Sequence, residues 1–155
     1  SIEEILPFVD IFFCSEDTAR LTFKKSGDVK KTMKEFAEEY DIGVVASTQR
    51  IVHSPKIHTF GSVIYEKKSN TFYEESPYEN IEVVDRIGSG DAYISGVLYR
   101  VLSADGSCLK ALQFGNATGA IKSTIPGDMQ ASLYSEVKAV IDSHEQKGKD
   151  FEMVR

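Results

Sequence analysis

Apolar positions along this chain fall into short dense runs separated by longer periodic stretches, the signature of alternating strands and helices. Ile2 to Leu6 reads as the last turns of a helix stopped by Pro7. Phe8-Val9-Asp10-Ile11-Phe12-Phe13 is a compact apolar run of the kind a buried parallel strand carries. Ser15-Glu16-Asp17-Thr18 reads as an N-cap with acids in the first turn of a short helix. Ser26-Gly27 makes a break, and Asp28 caps a helix through Glu39 with Val29, Met33, Phe36, Ala37 and Tyr40 on one face. Ile42 to Ser47 is the next buried strand and completes a strand–helix–strand unit. His53-Ser54-Pro55 reads as a turn, and Phe60–Glu66 with Thr71–Glu74 as a hairpin across Lys67-Lys68-Ser69-Asn70.

The second half opens on a β-branched run, Val83-Val84-Asp85, which reads as a strand, followed by the glycine-spaced turn Gly88-Ser89-Gly90. Ala92 to Leu102 then predicts an amphipathic helix, with Gly96 placed for close packing. Ser107 to Lys122 predicts a second helix rich in small residues, a stripe that favours tight helix packing over a flat ligand. Thr124–Asp128 is a turn, Leu133 to Ser143 a final helix, and 146–155 a charged, loosely held tail. The class is α/β.

Composition narrows the picture. A chain of 155 residues suits one domain with a real core, and its net charge of −6 argues against a nucleic-acid surface. No apolar run approaches a membrane span and no leader pattern opens the chain. Cys14 and Cys108 read as reduced thiols of a cytoplasmic protein. His53, His58 and His144 lack metal-ligand spacing and read as loop or surface residues; Glu74, Glu75 and Glu79 read as a solvated acidic loop. The chain opens without an initiator Met, which fits a fragment or processed product as well as a complete domain.

The candidate chemistry sits at the glycine turn. Gly88 and Gly90 allow positive φ and close backbone approach. Free N–H groups in the first helical turn then face an anion. Asp91 stands at the same spot, and a carboxylate beside an anion hole suits removal of a hydroxyl proton during attack on phosphorus. No Gly-Lys-Ser/Thr follows, so this is not a Walker A loop, and the glycine spacing is not the dinucleotide fingerprint. Thr48 and Arg50 lie at the carboxyl end of a parallel strand, where open α/β sheets bind ligands.

The string Asp85-x-x-Gly88-x-Gly90-Asp91-Ala92-Tyr93-x-x-Gly96 resembles the signature of the ribokinase-like (PfkB) carbohydrate kinases. With Ser47–Arg50 and Ala120–Asp128, the likeness extends to the branch containing 2-dehydro-3-deoxygluconate kinases. It covers the C-terminal half of such a kinase. The resemblance implies a ribokinase-like three-layer fold, with a mostly parallel sheet flanked by helices. Residues 1–145 would form its nucleotide-binding part and 146–155 the charged tail. It implies transfer of the ATP γ-phosphoryl group to a hydroxyl of a sugar or sugar acid, with Mg2+ between the phosphates. Asp91 would be the base, and Gly88, Ser89, Gly90 and Asp91 the anion hole. Thr48, Asn116 and Ala120 would contact the nucleotide, and Arg50 a substrate acid or phosphate. Asp85, Ile87, Thr124 and Gly127 would line a monovalent-cation (K+) site. The full-length protein would be a homodimer. The alternatives are an isolated, non-catalytic nucleotide-binding fragment, or a kinase for a fructose-type or nucleoside substrate. Two departures stand out: Ser15-x-x-Thr18 replaces the family's Asn-x-x-Glu, and Gln49 replaces a glycine after Thr48.

Overall fold

The computed structural model describes residues 1–15, 17–18, 27–103 and 105–153. It is an α/β chain whose sheet of five strands is mixed, in the order β1-β2-β3-β4 with β5 also on β3. Contacts divide it into two compact units, Ser1–Gln49 with Ser62–Glu74, and Arg50–Gly61 with Glu75–Arg155. Strands β2 (Val44–Ser54) and β3 (Ile57–Glu66) contribute residues to both.

In the first unit, β1 (Ile11–Phe13) pairs in parallel with the start of β2, Ile11 opposite Val44. Helix α1 (Val29–Glu39) forms where the periodicity puts it, and the Asp28 side chain accepts from Lys30 N–H at its start. Its apolar face buries Met33, Phe36 and Ala37 with Ile42, Val45 and Tyr65 in one core. The end of β3 and β4 (Thr71–Glu74) make the expected hairpin, Glu66 opposite Thr71, with Asn70 at positive φ in its turn. The chain start differs from expectation. Ile2–Glu4 and Leu6–Phe8 are two 3-10 turns, and Pro7 sits in the first turn of the second. There its missing N–H costs nothing. That turn takes up Phe8, so β1 is shorter than the apolar run. Thr18 N–H donates to Ser15 Oγ at 3.1 Å, as a cap would. The rest of the helix expected there, and Ser26, lie outside the described residues.

In the second unit, β3 pairs antiparallel with β5 (Tyr78–Glu82), His58 opposite Ile81. Glu79 is therefore a strand residue rather than part of an acidic loop. His53 is likewise in β2, sharing a hydrogen bond with Thr59 Oγ1 at 2.9 Å, and the turn falls at Pro55-Lys56. His58 is buried, not a surface histidine. These pairings escape the pattern because the end of β2 and β5 are mostly exposed, and backbone hydrogen bonds rather than buried side chains hold them. Val83–Asp85 is not a strand: Val84 and Asp85 donate their N–H groups to Ser123 O at 2.9 and 3.3 Å.

Three helices complete this unit: α2 (Ser89–Val101), α3 (Cys108–Ser123) and α4 (Tyr134–Met153). Helix α4 runs through Met153, where the sequence reading ends it at Ser143 and expects a loose tail. The small residues of α3 are packing surface. A Cβ on Gly96 would meet Thr118 Oγ1 at 2.4 Å and Gly115 Cα at 3.1 Å, so α2 and α3 touch backbone to backbone. A Cβ on Gly119 would meet the Phe60 ring at 2.8 Å. Val137, Val140 and Ile141 of α4 close the core over Phe114 and Ala117.

Candidate active site

The glycine turn and the start of α2 lie wholly in the second unit. Gly88 has φ 78° and ψ −3°, a left-handed conformation, and a Cβ there would fall 2.0 Å from Asp128 O. Both facts require glycine. Ser89 N–H donates to Arg86 O at 3.2 Å, and the first helical hydrogen bond runs from Ala92 N–H to Gly88 O at 2.8 Å. The N–H groups of Gly90 and Asp91 lie ahead of that bond and point out of the helix start. Asp91 is exposed in this first turn. It opens onto a cleft of about 550 Å³ whose walls include Gly88, Ser95, Tyr99, Phe114 and Tyr134. The three rings pack together, with centroids 5.3 to 6.3 Å apart.

Positive charge stands beside the turn. Arg50 Nη2 donates to Ser89 Oγ at 2.6 Å, and its guanidinium lies 5.7 Å over the Phe60 ring. Burial, then the charge of Arg86, pulls the Arg50 pKa down. His58 is lowered too, by burial first and then by Arg50 and Arg86. Arg86 and His58 were not candidates from sequence. His58 sits on β3 and Arg86 beyond β5, so their coupling to Arg50 joins separate segments of the chain.

Asp85 behaves differently from Asp91. Its Oδ1 accepts from Ile87 N–H at 3.0 Å and its Oδ2 from Gly127 N–H at 3.2 Å. The Ile87 N–H chiefly holds its carboxyl below the usual range; partial burial opposes, and Gly127 N–H and the Lys122 charge add to the lowering. Lys122 is 0% exposed, and its Nζ donates to Asp85 O at 3.2 Å and Ile125 O at 2.9 Å. Thr124 Oγ1 donates to Ile121 O at 2.7 Å. Lys122 was also absent from the candidates. Its signal was available: it is the one charged residue between Lys110 and Asp128.

The remaining candidates are not among the residues that line the cleft. Asn116 is 0% exposed and donates its amide to Glu75 Oε1 at 2.8 Å; neither it nor Ala120 is in the cleft wall. Burial raises the Glu75 pKa against that hydrogen bond. Thr48 belongs to the first unit. So do Ser15 and Thr18, whose hydroxyls bond each other at 2.8 Å. Among the described residues, no three His, Cys, Asp or Glu side chains are grouped to hold a metal ion. No helix among them is long and apolar enough to cross a membrane.

Residues 1–133 match the pfkB family carbohydrate kinases. The chain belongs to that family. A 2-dehydro-3-deoxygalactonokinase of Haloferax volcanii is 28% identical over 139 residues, which span 90% of this chain and 40% of that protein. A 2-dehydro-3-deoxygluconokinase of Thermotoga maritima superposes with a TM-score of 0.84 at 22% identity, over 91% of this chain and 44% of that one. The nucleoside kinase of Methanocaldococcus jannaschii, described as a member of the ribokinase family, gives 0.65 at 20% identity, over 92% and 43%. The family fold is thus shared across sugar-acid and nucleoside kinases, and this chain spans about two-fifths of each relative's length.

Proposed function

We propose that this pfkB-family chain carries the phosphoryl-transfer part of a sugar kinase, with ATP as donor and Asp91 as general base. The reading rests chiefly on one observation. Asp91 opens onto the cleft from the first turn of α2, directly behind a glycine turn that tolerates no side chain at Gly88. The Asp91 carboxylate takes the proton of a substrate hydroxyl as that oxygen bonds to the γ-phosphorus. The bond from phosphorus to the bridging oxygen of ADP breaks. The N–H groups of Gly90 and Asp91 and the α2 dipole stabilise the charge on the transferring group. Arg50, tied to Ser89, adds positive charge for a phosphate or a substrate carboxylate.

The acceptor is a sugar acid of the 2-dehydro-3-deoxy class. Support comes from the name of the Haloferax volcanii relative and from the Arg50–Arg86 pair beside the turn. The share of relatives spanned, 40% of that protein, favours a second reading: this chain binds nucleotide without turning it over.

Incubation of the chain with ATP, magnesium chloride and a panel of 2-dehydro-3-deoxygluconate, fructose and a nucleoside separates the readings. ADP release greatest with the sugar acid supports the first. Saturable ATP binding without ADP release supports the second. A chain that binds no ATP overturns both.

A further inference from the structure

Building on the reading of Gly88–Asp91 as an anion-binding turn, we infer that the Lys122 ammonium is a built-in monovalent cation that fixes this turn and makes a free potassium ion dispensable. A fully buried lysine is rare unless its charge is matched. Here the acceptors are two main-chain carbonyls from separate segments, Asp85 O and Ile125 O, beside the negative charge of Asp85. Oxygens of this kind are what a hard monovalent ion takes as ligands.

The family resemblance implies a potassium site at Asp85, Ile87, Thr124 and Gly127, and here the Lys122 ammonium already stands on carbonyls of the same two segments, Asp85 O and Ile125 O. Both oxygens of Asp85 already accept main-chain N–H groups, those of Ile87 and Gly127. The Thr124 hydroxyl donates to Ile121 O within its own turn. A charged group already holds the neighbouring carbonyls.

Position gives Lys122 its effect. Asp85 lies just ahead of Gly88, and Ile125 begins the loop that brings Asp128 O against Gly88. One ammonium therefore ties together the two segments that shape the turn. A lysine acting only as a helix C-cap would reach carbonyls of its own last turn; the bond to Asp85 O reaches another segment altogether. Lys122 is a positioning residue: its ammonium is turned to main-chain carbonyls, and it is not in the cleft wall.

The test compares thermal melting and ATP affinity of the full chain in potassium chloride and in choline chloride at equal ionic strength. Wild type gives the same melting temperature and affinity in both. Lys122→Ala melts lower and binds ATP about tenfold more weakly in choline chloride, and potassium or ammonium chloride restores both. Lys122→Met, which fills the space without charge, is not restored. A structural lysine would lose stability on substitution without this ion-specific rescue. Wild-type melting or ATP affinity that rises with potassium overturns the inference, as does a Lys122→Ala chain indifferent to the cation. If Lys122→Ala folds in no salt, the wild-type comparison decides. Melting is read without nucleotide, so a chain that binds no ATP defeats the phosphate reading while the cation response still judges Lys122.

Discussion

Asp85 and Asp91 flank the same glycine and are put to opposite uses. Asp85 is clasped by two main-chain N–H groups, with a buried lysine on its own carbonyl. Asp91 stands exposed at the mouth of an aromatic-walled cleft. A carboxylate clasped on both oxygens by main-chain N–H groups holds backbone in place. One left open at a helix start can exchange a proton. The comparison shows that residue type and motif membership do not assign a role; the hydrogen-bond partners do.

The sharpest way to break this contrast is Asp91→Asn. Turnover of the sugar acid should fall about 10²–10⁴-fold, while melting stays within about 0.5 kcal/mol of wild type as for other exposed positions. An unchanged kcat would remove Asp91 from the chemistry. Gly88→Ala comes next. The left-handed φ and the approach of Asp128 O should cost about 1–3 kcal/mol of stability in urea unfolding, with weaker ATP binding alongside. Full stability in that variant would mean the turn is not held as described. Arg50→Ala should weaken ATP binding or raise the KM for the sugar acid about tenfold, with melting little changed; titration calorimetry reads the first and steady-state kinetics the second.

The smallest effect concerns Asp85 and acid. Its folded pKa lies below the ordinary carboxylate value of 3.8. Between the two values the unfolded chain binds more protons, so stability rises with pH across that window. The contribution is complete above the ordinary value and is lost as pH falls through the folded one. Asp85→Asn should therefore flatten the acid limb of a melting-temperature profile and lower its neutral plateau. An acid limb identical to that of wild type would show that the clasp does not bias Asp85 toward its charged form.

Much of the fold was legible because the deciding signals were local. The face of α1 from Val29 to Tyr40, its Asp28 cap, and the β3–β4 hairpin with Asn70 in its turn each follow from spacing and turn chemistry. The glycine turn and Asp91 were legible for the same reason. Strand β5 and the far end of β2 were not, because their side chains are mostly exposed and their pairing is made by backbone. The extension of α4 beyond Ser143 was hidden by a charged sequence that a solvated helix face tolerates well. Asn116, expected beside a nucleotide, is buried and donates its amide to Glu75. No spacing rule could have foreseen that contact, since β5 and the chain leading into it had been read as loop.

Sequence by itself determined the α/β class and the turn at which an acid meets a helix start, because these depend on short-range periodicity and on glycine's freedom at positive φ; the family followed from the likeness of the Asp85–Gly96 string to a known signature. Tertiary structure alone decided that Arg50 reaches Ser89, that Asp85 is clasped by main-chain N–H groups, and that Lys122 is buried among carbonyls. Those outcomes depend on which distant segments share the second unit's interior, where a charge must find partners or not be there at all.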